Sequence, residues 1–197
     1  MTRTLLVDCY PDDWKDKLRF YLDLLSEFSH IDAIDQRKLG PESSAAGFDS
    51  VVVTGSPMML TDREPPKQLS EFVRGLEVPT LGICFGHQLL GAVTGARVGT
   101  RAMLDDWETV RILRPAGLFE GMGSKVRVLE SHREFLSADS VAAAGWQVLA
   151  DSGSCPVEAM RHLERPLYGV QFHPERSGEN GRRVVGNFYR HVVSAKR

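Results

Sequence analysis

Cys84 stands in the run Gly82-Ile83-Cys84-Phe85-Gly86-His87-Gln88, with a glycine two residues to either side. The apolar stretch Pro79 to Cys84 leads into it, and sequence of helical character follows Gly86. The thiol is therefore expected at a strand-to-helix joint, where the glycines remove Cβ atoms that would obstruct a sharp turn. That is the design of a nucleophile elbow, with sulfur in place of a hydroxyl oxygen. A thiol at a helix N-terminus also faces unpaired N–H groups and the positive end of the helix dipole, which favour thiolate. An isolated free cysteine is more often a small buried hydrophobe. The paired glycines set Cys84 apart, whereas Cys9 and Cys155 have no such setting and are assigned packing roles.

A thiol nucleophile needs a base, and the base needs a partner that fixes its tautomer. Of the six histidines, His30, His162 and His191 sit among charged residues and are expected in solvent. His87 lies one turn past the cysteine and is expected to pack or cap. His132, in Glu130-Ser131-His132-Arg133-Glu134, ends a strand-like run and is a second candidate. His173 closes the run Tyr168-Gly169-Val170-Gln171-Phe172 and is followed by Pro174-Glu175. Proline stops a strand ladder, so ring and carboxylate are held together at a strand end. Glu175 is near enough in sequence to accept a hydrogen bond from the imidazole. Taken alone, His-Pro-Glu in an incidental surface turn is the competing reading.

The elements that must position these groups follow an alternating pattern. Short apolar runs at Thr4 to Asp8, Ile31 to Ile34, Ser50 to Thr54 and Pro79 to Cys84 read as buried strands. Asp12 to Phe28 and Pro66 to Leu76 read as amphipathic helices between them. Further strands are expected at Thr109 to Leu113, Lys125 to Leu129, Trp146 to Ala150, Val157 to Arg161 and Leu167 to Phe172, before a closing helix over Gly181 to Val193. Near-continuously apolar strands alternating with helices predict an α/β fold. Its mostly parallel central sheet would be flanked by helices on both faces. With no repeat, linker or low-complexity segment, residues 1–197 are expected to form one domain.

Composition narrows the partners. The chain has 24 basic and 26 acidic side chains among 197 residues, a formal charge of -2, and no Lys/Arg run suited to phosphates. Nucleic acid is therefore not an expected ligand. No stretch reaches the ~20 apolar residues that cross a bilayer, and Met1 to Cys9 lacks the features of a signal peptide. Three cysteines at unrelated spacings form neither a disulfide framework nor a metal-ligand pattern, which favours a reducing cytoplasm. Gly121-Met122-Gly123-Ser124-Lys125 has the wrong spacing for a phosphate-binding loop.

Gly82-Ile83-Cys84-Phe85-Gly86-His87-Gln88 and Gly169-Val170-Gln171-Phe172-His173-Pro174-Glu175, about ninety residues apart, together resemble the two signature motifs of class I glutamine amidotransferases. The resemblance runs over nearly the whole chain. The free-standing glutaminase subunits of GMP synthase look most similar, through Cys155-Pro156-Val157-Glu158-Ala159-Met160, Ser131-His132-Arg133-Glu134 and the Pro166-Leu167-Tyr168 run. The resemblance implies a flavodoxin-like fold of that family and a triad of Cys84, His173 and Glu175. It implies an oxyanion hole from the backbone N–H groups of Ser56 and Phe85, and contacts to glutamine from Gly55, Gln88, Ser131 and His132. It implies no metal and no cofactor, and a separate ATP-dependent synthetase subunit to receive the ammonia. Relatives carry glycine where this chain has Ser56, so the loop is expected to need reshaping. Two other functions fit the same residues: a stand-alone γ-glutamyl hydrolase or peptidase, and a non-catalytic regulatory relative. An intact Cys84, His173 and Glu175 argue against the second.

Overall fold

A computed structural model of the chain describes residues 2–115 and 117–196; Met1, which opens the amino-terminal run, lies outside them. Nine strands among the described residues form one sheet. They are β1 (Arg3–Asp8), β2 (His30–Asp35), β3 (Ser50–Val53), β4 (Thr80–Ile83), β5 (Val98–Ile112), β6 (Lys125–Leu136), β7 (Trp146–Asp151), β8 (Ala159–His162) and β9 (Leu167–Val170). Their order is β2-β1-β3-β4-β9-β8-β7-β5-β6. From β2 to β9 the pairings are parallel, and from β9 to β6 they are antiparallel. The α/β class is as expected. The strand-rich second half of the sequence supplies the antiparallel half of a mixed sheet.

Alternation along the strands divides the core between two faces. Leu6 and Val52 join one apolar cluster with Tyr21 and Leu25 of α1 (Leu18–Leu25) and Val184 and Val185 of α5 (Gly178–Asn187). Leu5, Val7, Val51 and Val53 join the other. There they meet Leu69 and Phe72 of α2 (Lys67–Arg74), Leu89 of α3 (Phe85–Val93) and Val141 of α4 (Ala138–Ala143). Strands buried on both sides must be apolar at nearly every position, which is why β1, β3 and β4 read so clearly.

Several boundaries differ from expectation for physical reasons. The helix expected over Asp12 to Phe28 is a 3-10 turn, Asp12–Lys17, followed by the shorter α1. Lys15 Nζ is bonded to the carboxylates of Asp8 and Asp35 and to the Tyr10 carbonyl, tying that first turn to the ends of β1 and β2. The closing helix begins at Gly178, earlier than expected, and runs into a π-helical turn, Phe188–Val193. The short helix α4 lacks a readable period. β5 starts eleven residues before the expected Thr109, because its first part is largely exposed and its apolar residues, Met103 and Trp107 among them, form no regular buried alternation.

Candidate active site

Cys84 directly follows the end of β4. Among the described residues it is the one non-glycine with positive φ, at φ 51° and ψ -104°, a conformation L residues rarely hold. Its N–H donates to the Val170 carbonyl at 2.8 Å, and its own carbonyl accepts from Gln88 N–H at 3.0 Å. The glycines act as expected of an elbow. A Cβ on Gly82 would lie 2.5 Å from the Gly86 carbonyl oxygen, and one on Gly86 would collide with the Val53 carbonyl. The helix therefore starts directly on the backbone of β3 and β4, and the sulfur is left at the tip.

His173 follows the end of β9, with its N–H donated to the Leu129 carbonyl at 2.9 Å. Its Nδ1 lies 2.6 Å from Glu175 Oε1. Burial disfavours the charged ring, but Glu175 and the Cys84 sulfur together hold its pKa well above the ordinary histidine value. The Ser177 hydroxyl donates to the His173 carbonyl at 2.7 Å and accepts from Leu129 N–H at 2.9 Å. The residue after the His-Pro-Glu-Arg turn thus clamps the histidine to β6.

Cys84, His173 and Glu175 line one cavity of about 760 Å³ together with Ser56, Gln88, Ser131 and His132. The Cys84 thiol lies 3.8 Å from the Ser131 carbonyl. Gln88 is almost wholly buried, and its Nε2 donates to the Glu134 carbonyl at 3.0 Å. Phe85 opens α3 with its ring in the core. Gly55 sits behind the cavity wall: its N–H donates to Tyr21 Oη at 3.0 Å, and a Cβ there would lie 2.9 Å from Tyr10 Oη and 3.2 Å from His173 Cε1. Ser56 sits in unstrained backbone. Its φ is not positive, and its hydroxyl donates to the Cys9 carbonyl at 2.8 Å while accepting from Met58 N–H at 3.1 Å.

The remaining histidines divide differently from expectation. His30 and His191 are exposed. His162, expected in solvent, is half-buried and meets the Trp146 ring edge-on at 5.1 Å between centroids. His87 packs wholly inside against Gly169, and burial pushes its pKa down to about 3. Burial likewise lowers His132 to about 4.

Sequence reasoning passed over three groups. Gln171 Nε2 reaches Cys84 Sγ at 3.7 Å, and Gln171 Oε1 accepts from Gln88 Nε2 at 3.2 Å. Glu134 accepts from Leu60 N–H at 2.9 Å and Thr61 N–H at 2.7 Å, fixing the loop beyond Ser56 to β6. Glu130 and Glu158 are fully buried, with Glu130 close enough to the sulfur to feel its charge. A signal existed for two of these: Glu130, His132 and Glu134 continue the inward phase of Val126 and Val128 along β6.

Comparison with known proteins shows the family. The family model for glutamine amidotransferase class-I matches residues 5–192. The glutamine-hydrolyzing GMP synthase subunit of Methanopyrus kandleri is 40% identical over 153 residues, covering 75% of this chain and 78% of that protein. The subunit of the same name from Archaeoglobus fulgidus is 39% identical over 136 residues, 68% of this chain and 70% of that one. The crystal structure of a protein from Thermoplasma acidophilum, described as a GMP synthase subunit, superimposes with a TM-score of 0.84. It covers 100% of this chain and 96% of that one at 23% identity, a likeness of fold.

Proposed function

This chain belongs to the class I glutamine amidotransferase family, and we propose that residues 1–197 act as one glutaminase domain, with Cys84 as nucleophile. The observation that carries the reading is a single cavity lined by the Cys84 sulfur and by a histidine whose far nitrogen is bonded to a buried carboxylate.

In this reading Glu175 keeps the His173 ring oriented, and the ring draws the proton from the Cys84 thiol. The thiolate attacks the side-chain amide carbon of L-glutamine, and the amide oxygen becomes an oxyanion. The backbone N–H groups of Phe85 and Ser56 stabilise that charge, and the loss of one such donor typically costs about 10²–10³ in rate. His173 returns its proton to the departing nitrogen, which leaves as ammonia. Water, deprotonated by the same ring, then splits the glutamyl thioester to glutamate and restores the thiol. Gln88 and the backbone at Ser131 and His132 hold the glutamine, while Gly55 supports the loop from behind.

Ammonia freed into neutral water takes a proton and stops being a nucleophile. We infer that a separate ATP-dependent synthetase subunit, of the GMP synthase type, docks over the Cys84 face to receive it. No helix among the described residues is long and apolar enough to cross a membrane, and the chemistry proposed is that of the cytoplasm. The test is release of glutamate from L-glutamine by the purified chain, alone and with a GMP synthetase subunit. Cys84→Ala should abolish release and leave the circular dichroism spectrum unchanged. Undiminished activity in that variant would remove the assignment.

A further inference from the structure

Behind the cavity wall lies a cluster of titratable groups that glutamine hydrolysis as written does not use. Glu130 and Glu158 have no exposed surface, and His132 is almost as deeply buried. None of the four carboxylate oxygens receives a donor with hydrogen-bond geometry from the described residues, and His132 Nε2 has no partner either. Yet Glu130 Oε2 lies 3.4 Å from His132 Nε2, and the two carboxyls face each other at hydrogen-bonding range.

The tautomer of His132 decides what this means. Its Nδ1 lies 2.8 Å from the Glu134 carbonyl oxygen, which can only accept, so Nδ1 carries the proton. In the neutral ring Nε2 is then an acceptor. An ionised Glu130 would set lone pair against lone pair there, and against Glu158 as well. Burying two bare carboxylates side by side is prohibitive. Two carboxyl protons remove these clashes: Glu158 O–H donates to Glu130, Glu130 O–H donates to His132 Nε2, and His132 Nδ1–H donates to the Glu134 carbonyl.

We propose that Glu130 and Glu158 are positioning residues working as neutral acids, whose shared proton chain holds the Ser131–His132 segment against the Cys84 sulfur. The role of that segment rests on the glutaminase reading above; the proton chain rests on geometry alone. Cys84 at the elbow and His173 beyond β9 face Glu130; Arg101 and Glu108 from β5 and Ser152 from the loop after β7 face Glu158; and Cys155 of that loop faces both. Burial lifts Glu130 well above the ordinary carboxyl range and Glu158 to about 7. Glu158 therefore loses its proton first as pH rises, and the resulting charge opposes the thiolate and the oxyanion.

The test pairs neutral mimics with a silent control. E130Q keeps a donor for His132 and an acceptor for Glu158, so kcat/KM should stay within about threefold at pH 6.5. E130L removes the donor and should lose about tenfold or more, chiefly in KM. E158Q should erase the alkaline limb of wild-type activity near neutrality. Carbon-13 spectra of the wild-type glutamate carboxyls should show two that stay protonated at pH 6. Equal losses in E130Q and E130L, an unmoved limb in E158Q, or two ionised carboxyls at pH 6 would each overturn the proposal. If the wild type does not hydrolyse glutamine, the glutaminase reading fails while the carbon-13 titration still decides the proton chain.

Discussion

His173 Nδ1 sits 2.6 Å from Glu175 Oε1 across one intervening proline, and both side chains are more than nine-tenths buried. A carboxylate oxygen accepts, so Nδ1 holds the proton and Nε2 is left to exchange one with the sulfur. Glu175→Gln removes a charge that raises the ring's pKa. The imidazolium then loses its proton at lower pH, and the thiolate–imidazolium pair is less populated at neutrality. Glutamine turnover is expected to fall about 10²-fold or more. The alkylation rate of Cys84 by iodoacetamide at pH 7, followed by mass spectrometry, should fall with it.

The backbone of Cys84 reverses a familiar ranking. Glycine normally costs roughly 0.5–1 kcal/mol relative to alanine through chain entropy. At φ 51° and ψ -104° alanine retains the strain and glycine relieves it, a difference of order 1–3 kcal/mol. Cys84→Gly should therefore unfold at higher urea than Cys84→Ala, with neither hydrolysing glutamine. The opposite order would mean that the elbow is unstrained.

Gly86 has no room for a methyl group, because the Val53 carbonyl fills the space. The obstacle is backbone, which cannot rotate aside as a side chain would. Gly86→Ala should cost roughly 1–3 kcal/mol of stability and, by pushing α3 off β3, reduce kcat more than it raises KM. Urea unfolding and steady-state kinetics on one preparation separate the two effects.

Ser56 holds its loop through two hydrogen bonds, from its hydroxyl to Cys9 and from Met58 N–H to its oxygen. Ser56→Ala should lose about 0.5–1.5 kcal/mol per bond removed. Its kcat should drop while KM barely moves, since the N–H proposed for the oxyanion stays in the chain but is less firmly held. A variant with unaltered kcat would separate the loop from the oxyanion.

Acid should weaken the fold through His87 and His132. Their folded pKa values, about 3 and about 4, lie below the ordinary histidine value of 6.5. As pH falls below 6.5 the unfolded chain takes protons that the native state refuses, so this contribution is lost progressively towards pH 3. Each tenfold difference in proton affinity is worth about 1.4 kcal/mol, giving several kcal/mol at full extent. Glu130 and Glu158, with raised values, act in the opposite sense below neutrality. The comparison is therefore between wild type and His87→Gln, whose unfolding free energy should fall less steeply from pH 7 to pH 5.

Much of this protein is written locally. The apolar runs of β1, β3 and β4 announced themselves because strands covered on both faces tolerate almost nothing else. Gly82, Cys84 and Gly86 mark a strand-to-helix elbow within five residues, and His173-Pro174-Glu175 pairs an imidazole with a carboxylate within three. Short-range geometry determines both, so the residues suffice to read them. The exposed start of β5 and the six-residue α4 left no such trace, since neither buries a regular apolar stripe.

What joins distant segments was decided by the tertiary structure. Nothing near Cys84 in the chain indicates that Ser131 and Gln171 reach its sulfur, or that Tyr21 takes the amide of Gly55. Glu130 and Glu158 look like surface residues until β6 and β8 are laid in one sheet and their carboxyls meet out of reach of water. Burial, and the protonation that burial enforces, belong to the packed assembly of strands, and no local run of residues encodes them.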